Sequence, residues 1–155
     1  MSRLRQKIAT QSTRVVKIAP ANTQTAVMRP LFASRPAAGF PAPGDDMVEK
    51  PLDLNDLLID NPEATFYVRV SGDSMEGVGI FSGDILVVDR SQEPTHLAIV
   101  VAAVYGELVV KQLTKVADGT HQLTSAQVGY EPITVNENDD CHIWGVVIGS
   151  VRMFR

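Results

Sequence analysis

The chain holds a single cysteine, Cys141, in 155 residues. One thiol excludes an internal disulfide framework and fits a reducing, cytoplasmic setting. It also leaves little from which to build a metal centre, which needs three or four convergent ligands. His96 and His121 stand alone, and the adjacent Cys141-His142 reads as a buried thiol beside a surface imidazole. No apolar run is long enough to span a membrane, and the start lacks the apolar segment of a secretory signal. A phosphate loop, a dinucleotide fingerprint and a zinc-protease helix are all absent, so no cofactor is expected.

Acidic residues are missing from one region altogether. Residues 1–44 contain no Asp or Glu, although the whole chain carries 18 acidic residues against 14 basic ones. Seven of the 14 basic residues precede Ala38: Arg3, Arg5, Lys7, Arg14, Lys17, Arg29 and Arg35. A cut after Ala38 would release an arm of +7 and leave seven basic residues against 18 acidic ones, a net −11. Such an arm suits nucleic acid or an acidic partner. A solvated tail and an Arg-rich transit peptide are the competing readings.

What remains reads as one modest domain, since 45% apolar residues suffice for a packed core. Residues 1–38 show no sustained period. Val15, Val16 and Ile18 suit a short strand that docks on the body, and Pro20, Pro30 and Pro36 interrupt anything longer. Residues 39–52 read as a linker. The stretch Asp53–Ile59 predicts a short helix, with Asp53 as N-cap and Leu54, Leu57 and Leu58 on one face.

Strand signals then follow one another: Thr65–Val70, Ile85–Val88, Leu97–Val104, Glu107–Leu113, His121–Thr124, Ile133–Val135 and Cys141–Val151. Tyr105-Gly106 marks a hairpin turn. The pattern predicts an all-β, mostly antiparallel domain with one short helix and an extended N-terminal arm.

Two residues far apart in sequence carry the chemistry. Ser74 lies in Ser71-Gly72-Asp73-Ser74-Met75, a glycine-containing turn that can expose a hydroxyl. Taken alone, such a serine is more often a turn residue bonding nearby backbone. Lys111 lies in Val109-Val110-Lys111-Gln112-Leu113 and shares a strand face with Val109 and Leu113. If that face is inward, desolvation lowers its pKa and frees a base. The bland reading is an edge lysine snorkelling into water. Together the two form a candidate Ser-Lys dyad, and the amides of Asp73 and Ser74 are candidate oxyanion donors. Ser71 and Ser82 read as turn residues, and Lys115 as solvated.

A possible substrate lies upstream. Ala38-Gly39 is a small-residue pair flanked by Pro36 and Pro41, which hold it extended. Residues 39–52 span about 45 Å at roughly 3.3 Å per residue. The radius of gyration is only ~13–14 Å for a domain of this size. Cleavage within one chain or across a dimer is therefore sterically possible.

Four blocks in this order carry a resemblance: Ala38-Gly39-Phe40-Pro41, Ser71-Gly72-Asp73-Ser74-Met75, Ser82-Gly83-Asp84 and Val110-Lys111-Gln112-Leu113. From about Gly39 to the C-terminus the chain resembles the UmuD-type accessory proteins of error-prone DNA polymerases. These are relatives of the LexA-type self-cleaving repressors. The resemblance implies the all-β LexA-like peptidase fold and a division into an arm (1–38) and a Ser-Lys peptidase domain (39–155). It implies that Ser74 is the nucleophile, Lys111 the general base and Ala38-Gly39 the bond cut. It further implies a homodimer, stimulation by a RecA-nucleoprotein filament in the SOS response to DNA damage, and a Y-family DNA polymerase partner. LexA-type repressors carry a helix-turn-helix domain ahead of the cut. Thirty-eight residues without helical period are too few for one, so sequence-specific DNA binding is not expected. A repressor, a signal-peptidase-like enzyme and a noncatalytic polymerase-binding module remain the rival readings.

Overall fold

The computed structural model of the chain describes residues 12–22, 28–32, 48–135 and 140–155. Its strands are β1 (Arg14–Pro20), β2 (Met28–Phe32), β3 (Val48–Asp53), β4 (Thr65–Ser71), β5 (Ile85–Asp89), β6 (Ile99–Val104), β7 (Glu107–Lys115), β8 (His121–Thr124), β9 (Ile133–Thr134) and β10 (Cys141–Val151). All pair antiparallel. Strands β1, β4, β5, β10, β6 and β7 follow one another in space. Arg14 of β1 also pairs with Val109 of β7, which closes a six-stranded barrel. Strands β8 and β9 continue outward from β7. The all-β, antiparallel expectation holds.

Alternation along the strands builds the core. Val101 and Val110 pack with Val68, Val70, Met75, Leu86 and Val88. Their neighbours Val100, Ala102 and Val109 pack on the other side with Val104, Leu113 and Leu123. Strands β6 and β7 are thus buried on both faces. That explains why they read as continuous apolar runs rather than alternating ones. Between them, Tyr105 (φ 50°) and Gly106 (φ 81°) make the two-residue, left-handed turn that suits the twist of a hairpin. Strand β6 starts two residues later than its apolar pattern. Leu97 is left-handed (φ 68°), and the Ala98 amide turns back to the Thr95 carbonyl at 3.0 Å.

The short helix α1 spans Leu54–Leu58, capped by Asp53 Oδ1, which accepts from the Asn55 amide at 2.9 Å. Its leucine stripe is not buried: Leu54 and Leu57 are 61% and 62% exposed. The expected docking strand near Val15 is present as β1. The expected linker at 39–52 is in part a strand, because β3 pairs with β2 in a two-stranded ribbon. Pro30 and Pro51 sit opposite one another there. A ribbon tolerates them because each strand has an outward edge needing no amide donor. The Ala38-Gly39 pair lies between these strands, outside the described residues.

Candidate active site

The turn after β4 carries Ser74, and a neighbouring backbone crowds it. Gly72 has φ 116°, and a Cβ there would come within 3.0 Å of the Thr13 Cα. Both facts require glycine. The approaching segment is Ser12-Thr13, just ahead of β1. The Thr13 amide donates to Ser74 Oγ at 2.8 Å. The Ser74 hydroxyl in turn donates to Thr13 Oγ1 at 3.0 Å. The Thr13 carbonyl accepts from the Val110 amide at 2.8 Å. Ser74 is consequently 0% exposed, not the exposed hydroxyl that the turn suggested. The amides of Asp73 and Ser74 donate to no acceptor among the described residues.

Lys111 lies on β7 beside Val110. It shares its face with Val109 and Leu113, as the parity argument required, and is 2% exposed. Burial lowers its pKa from 10.5 to about 8. Its Nζ donates to Ser125 Oγ at 2.7 Å and lies 5.7 Å from the centre of the Tyr130 ring. The Tyr130 hydroxyl donates to Asp73 Oδ1 at 3.4 Å. Tyr130 titrates above its usual range because of its own desolvation and the Asp73 carboxylate.

The Ser74 turn and the Lys111 strand are therefore joined through two intermediaries. Thr13 bonds Ser74 on one side and the β7 backbone on the other. Ser125-Ala126 bonds Lys111 through the Ser125 hydroxyl and Ser74 through the Ala126 amide, which donates to the Ser74 carbonyl at 2.9 Å. Gly77 permits that second approach, since a Cβ there would overlap the Ala126 carbonyl oxygen. In this arrangement the Ser74 proton is given to Thr13 and a Lys111 proton to Ser125.

Sequence reasoning missed Thr13, Ser125 and Tyr130. Nothing marks them locally, because each reaches the site only through barrel closure or the β8–β9 loop. Other assignments agree with the structure. Ser82 Oγ accepts from the Gly72 amide at 3.2 Å as a turn residue, Lys115 is exposed, and Cys141 is buried beside an exposed His142. In the Ser82-Gly83-Asp84 block, Asp84 has a structural part. Arg152 holds its carboxyl below the usual range through two bonds of 2.7 Å.

A model of the peptidase S24-like family matches residues 30–148. The chain belongs to that family. Several curated proteins are similar to this S24-like chain. Protein ImpA of Salmonella typhimurium is 52% identical over 86 residues, which are 56% of this chain and 59% of ImpA. Protein MucA of Escherichia coli is 37% identical over 123 residues, 79% of this chain and 83% of MucA. The LexA repressor of Xylella fastidiosa (strain M23) is 35% identical over 143 residues, 92% of this chain and 67% of that repressor. The chain thus spans under two thirds of the length of ImpA. Ser74, Lys111 and Ser125 fall inside the S24-like match, and Thr13 precedes it.

Burial of Lys111 has a consequence for stability that needs no activity to observe. The folded state holds this amine at about 8, against 10.5 for an ordinary lysine. Between those values the unfolded chain binds the extra proton and the folded one does not. Stability therefore rises with pH across that window, and below about 8 the buried ammonium opposes folding. Lys111→Met should raise the melting temperature at pH 7, and the gain should shrink steadily from pH 8 to 10.5. Thermal unfolding across that range checks it. A gain that is flat or grows with pH contradicts it.

Proposed function

We propose that this chain is a self-cleaving serine peptidase that cuts its own Ala38–Gly39 bond with a Ser74–Lys111 dyad. The observation that supports this best is a lysine buried in an apolar face, poised near pH 8 and linked to the buried Ser74 turn through Ser125-Ala126. Neutral Lys111 takes the Ser74 proton, and Ser74 Oγ attacks the Ala38 carbonyl carbon. The amides of Ser74 and Asp73 receive the oxyanion. The Gly39 nitrogen leaves with the proton from Lys111, and Ala38 remains as an ester on Ser74. Lys111 then activates a water that hydrolyses the ester. The products are an arm ending in the Ala38 carboxylate and a body beginning at Gly39.

The Thr13 contacts describe a closed resting state in this reading. Thr13 holds the nucleophile's proton and fills the approach to it, so it must withdraw before a peptide enters. A partner that binds the basic arm would favour withdrawal, and the RecA-nucleoprotein filament of the SOS response is the proposed one. The body left after cleavage is strongly acidic. It acts as a homodimer beside a Y-family polymerase in translesion synthesis, in the cytoplasm. A repressor role is the second reading, favoured by the long match to a LexA repressor.

The test is the rate of self-cleavage from pH 6 to 10. It should climb with pH and level off, with a midpoint near the Lys111 value of about 8. A rate independent of pH contradicts the dyad.

A further inference from the structure

Ser125 was not singled out by the sequence, yet its hydroxyl is the hydrogen-bond partner that the Lys111 amine has among the described residues. We propose that Ser125 is a positioning residue of the site, holding the Lys111 amine in the direction of Ser74. This inference rests on the self-cleavage reading above.

A lysine amine ends a flexible four-carbon stem, and its lone pair points wherever its N–H groups leave it. In an apolar pocket few groups can direct it. A bond of 2.7 Å to Ser125 Oγ fixes one N–H and therefore restricts the lone pair. The Tyr130 ring, 5.7 Å away, supplies attraction without direction. Ser125 is itself fixed relative to the nucleophile. The next residue, Ala126, donates its amide to the Ser74 carbonyl at 2.9 Å and presses its own carbonyl against Gly77. One dipeptide thus holds both members of the dyad, and a shift of either side moves the base relative to the nucleophile. Misplacement of about 1 Å is enough to cost on the order of 100-fold in rate.

A purely structural serine would behave differently. The Ser125 oxygen accepts from the ammonium as well as from the amine, so it favours the charged form of Lys111. The other charged or titratable groups facing this amine among the described residues are Tyr130 and, through the Tyr130 hydroxyl, Asp73. No carboxylate forms a salt bridge with it among those residues. Removing the Ser125 hydroxyl should therefore do two things at once. The plateau rate falls because the amine loses its direction. The midpoint of the pH profile moves down because the ammonium loses an acceptor.

The experiment compares wild type, Ser125→Ala and Ser125→Thr for self-cleavage rate from pH 6 to 10. Each melting temperature is measured as well. Ser125→Ala should lower the plateau about 10- to 100-fold and shift the midpoint down by about one unit. Ser125→Thr keeps the hydroxyl and should restore both. A Ser125→Ala profile equal to wild type overturns the proposal. A lowered plateau with an unmoved midpoint also overturns it, since that is the signature of a merely structural loss. A second readout needs no cleavage. In a Ser74→Ala background, NMR titration of the labelled Lys111 side chain should show the same downward shift on adding Ser125→Ala. If the NMR shift appears while Lys111→Ala still cuts normally, the dyad reading fails and the Lys111–Ser125 coupling stands.

Discussion

Ser74→Ala and Lys111→Ala should each leave the chain uncut, with rates reduced at least about 1,000-fold. Without Ser74 there is no oxygen to form the ester. Without Lys111 the site loses its proposed base, and the hydroxyl keeps its proton. Lys111→Arg should be equally inactive, because a guanidinium stays protonated at any workable pH. Ser74→Ala should also show a modest loss of stability. The hydroxyl is buried and bonds Thr13 twice, so its removal strands the Thr13 amide at a cost of about 1–3 kcal/mol. Mass spectrometry of samples held at alkaline pH, with melting curves alongside, separates lost chemistry from lost fold. Full activity in Lys111→Arg would remove Lys111 from the mechanism.

Deleting residues 1–13 should accelerate self-cleavage. The deletion removes the two hydrogen bonds that Thr13 makes with Ser74, together with the bond from the Val110 amide to the Thr13 carbonyl beside the Arg14–Val109 pairing, and leaves the β1–β4 ladder. Two buried bonds at about 1 kcal/mol each hold the closed state by ~2 kcal/mol, or roughly 30-fold in rate. Thr13→Val keeps the shape and the amide but removes the acceptor for the Ser74 proton, so a smaller acceleration is expected. The check is the first-order rate of each variant at one pH. Rates equal to or below wild type, at an unchanged melting temperature, would mean that Thr13 is no barrier.

The strands from β4 to β10 were legible because each is a short β-rich run bounded by turn residues. Lys111 was legible for a similar reason, since strand parity alone places it between Val109 and Leu113. Its burial depended on that face being covered, and the cover comes from β8, β9 and the loop that carries Ser125 and Tyr130. Ser74 was found from its turn, but its exposure was misjudged. The segment that buries it comes 61 residues earlier, from a tail whose composition resembles a solvated arm. Thr13 was invisible because its contact with Ser74 spans 61 residues, and Ser125 because it meets Lys111 only in the register of the β7–β8 hairpin, just past the Gln112–Thr124 pair. Strand β3 was misread as linker because proline argues against a strand, and the two-stranded ribbon relaxes that rule at its edges.

Ser74 is proposed to cut this chain's own Ala38–Gly39 bond. The most direct measurement is the intact mass of the purified wild-type chain, and of Ser74→Ala beside it, after incubation above pH 8. The wild type should give two fragments, residues 1–38 and a body with Gly39 as its new N-terminus, and the Ser74→Ala chain should stay unchanged. A dominant cut at another bond, or the same two fragments from Ser74→Ala, would contradict it.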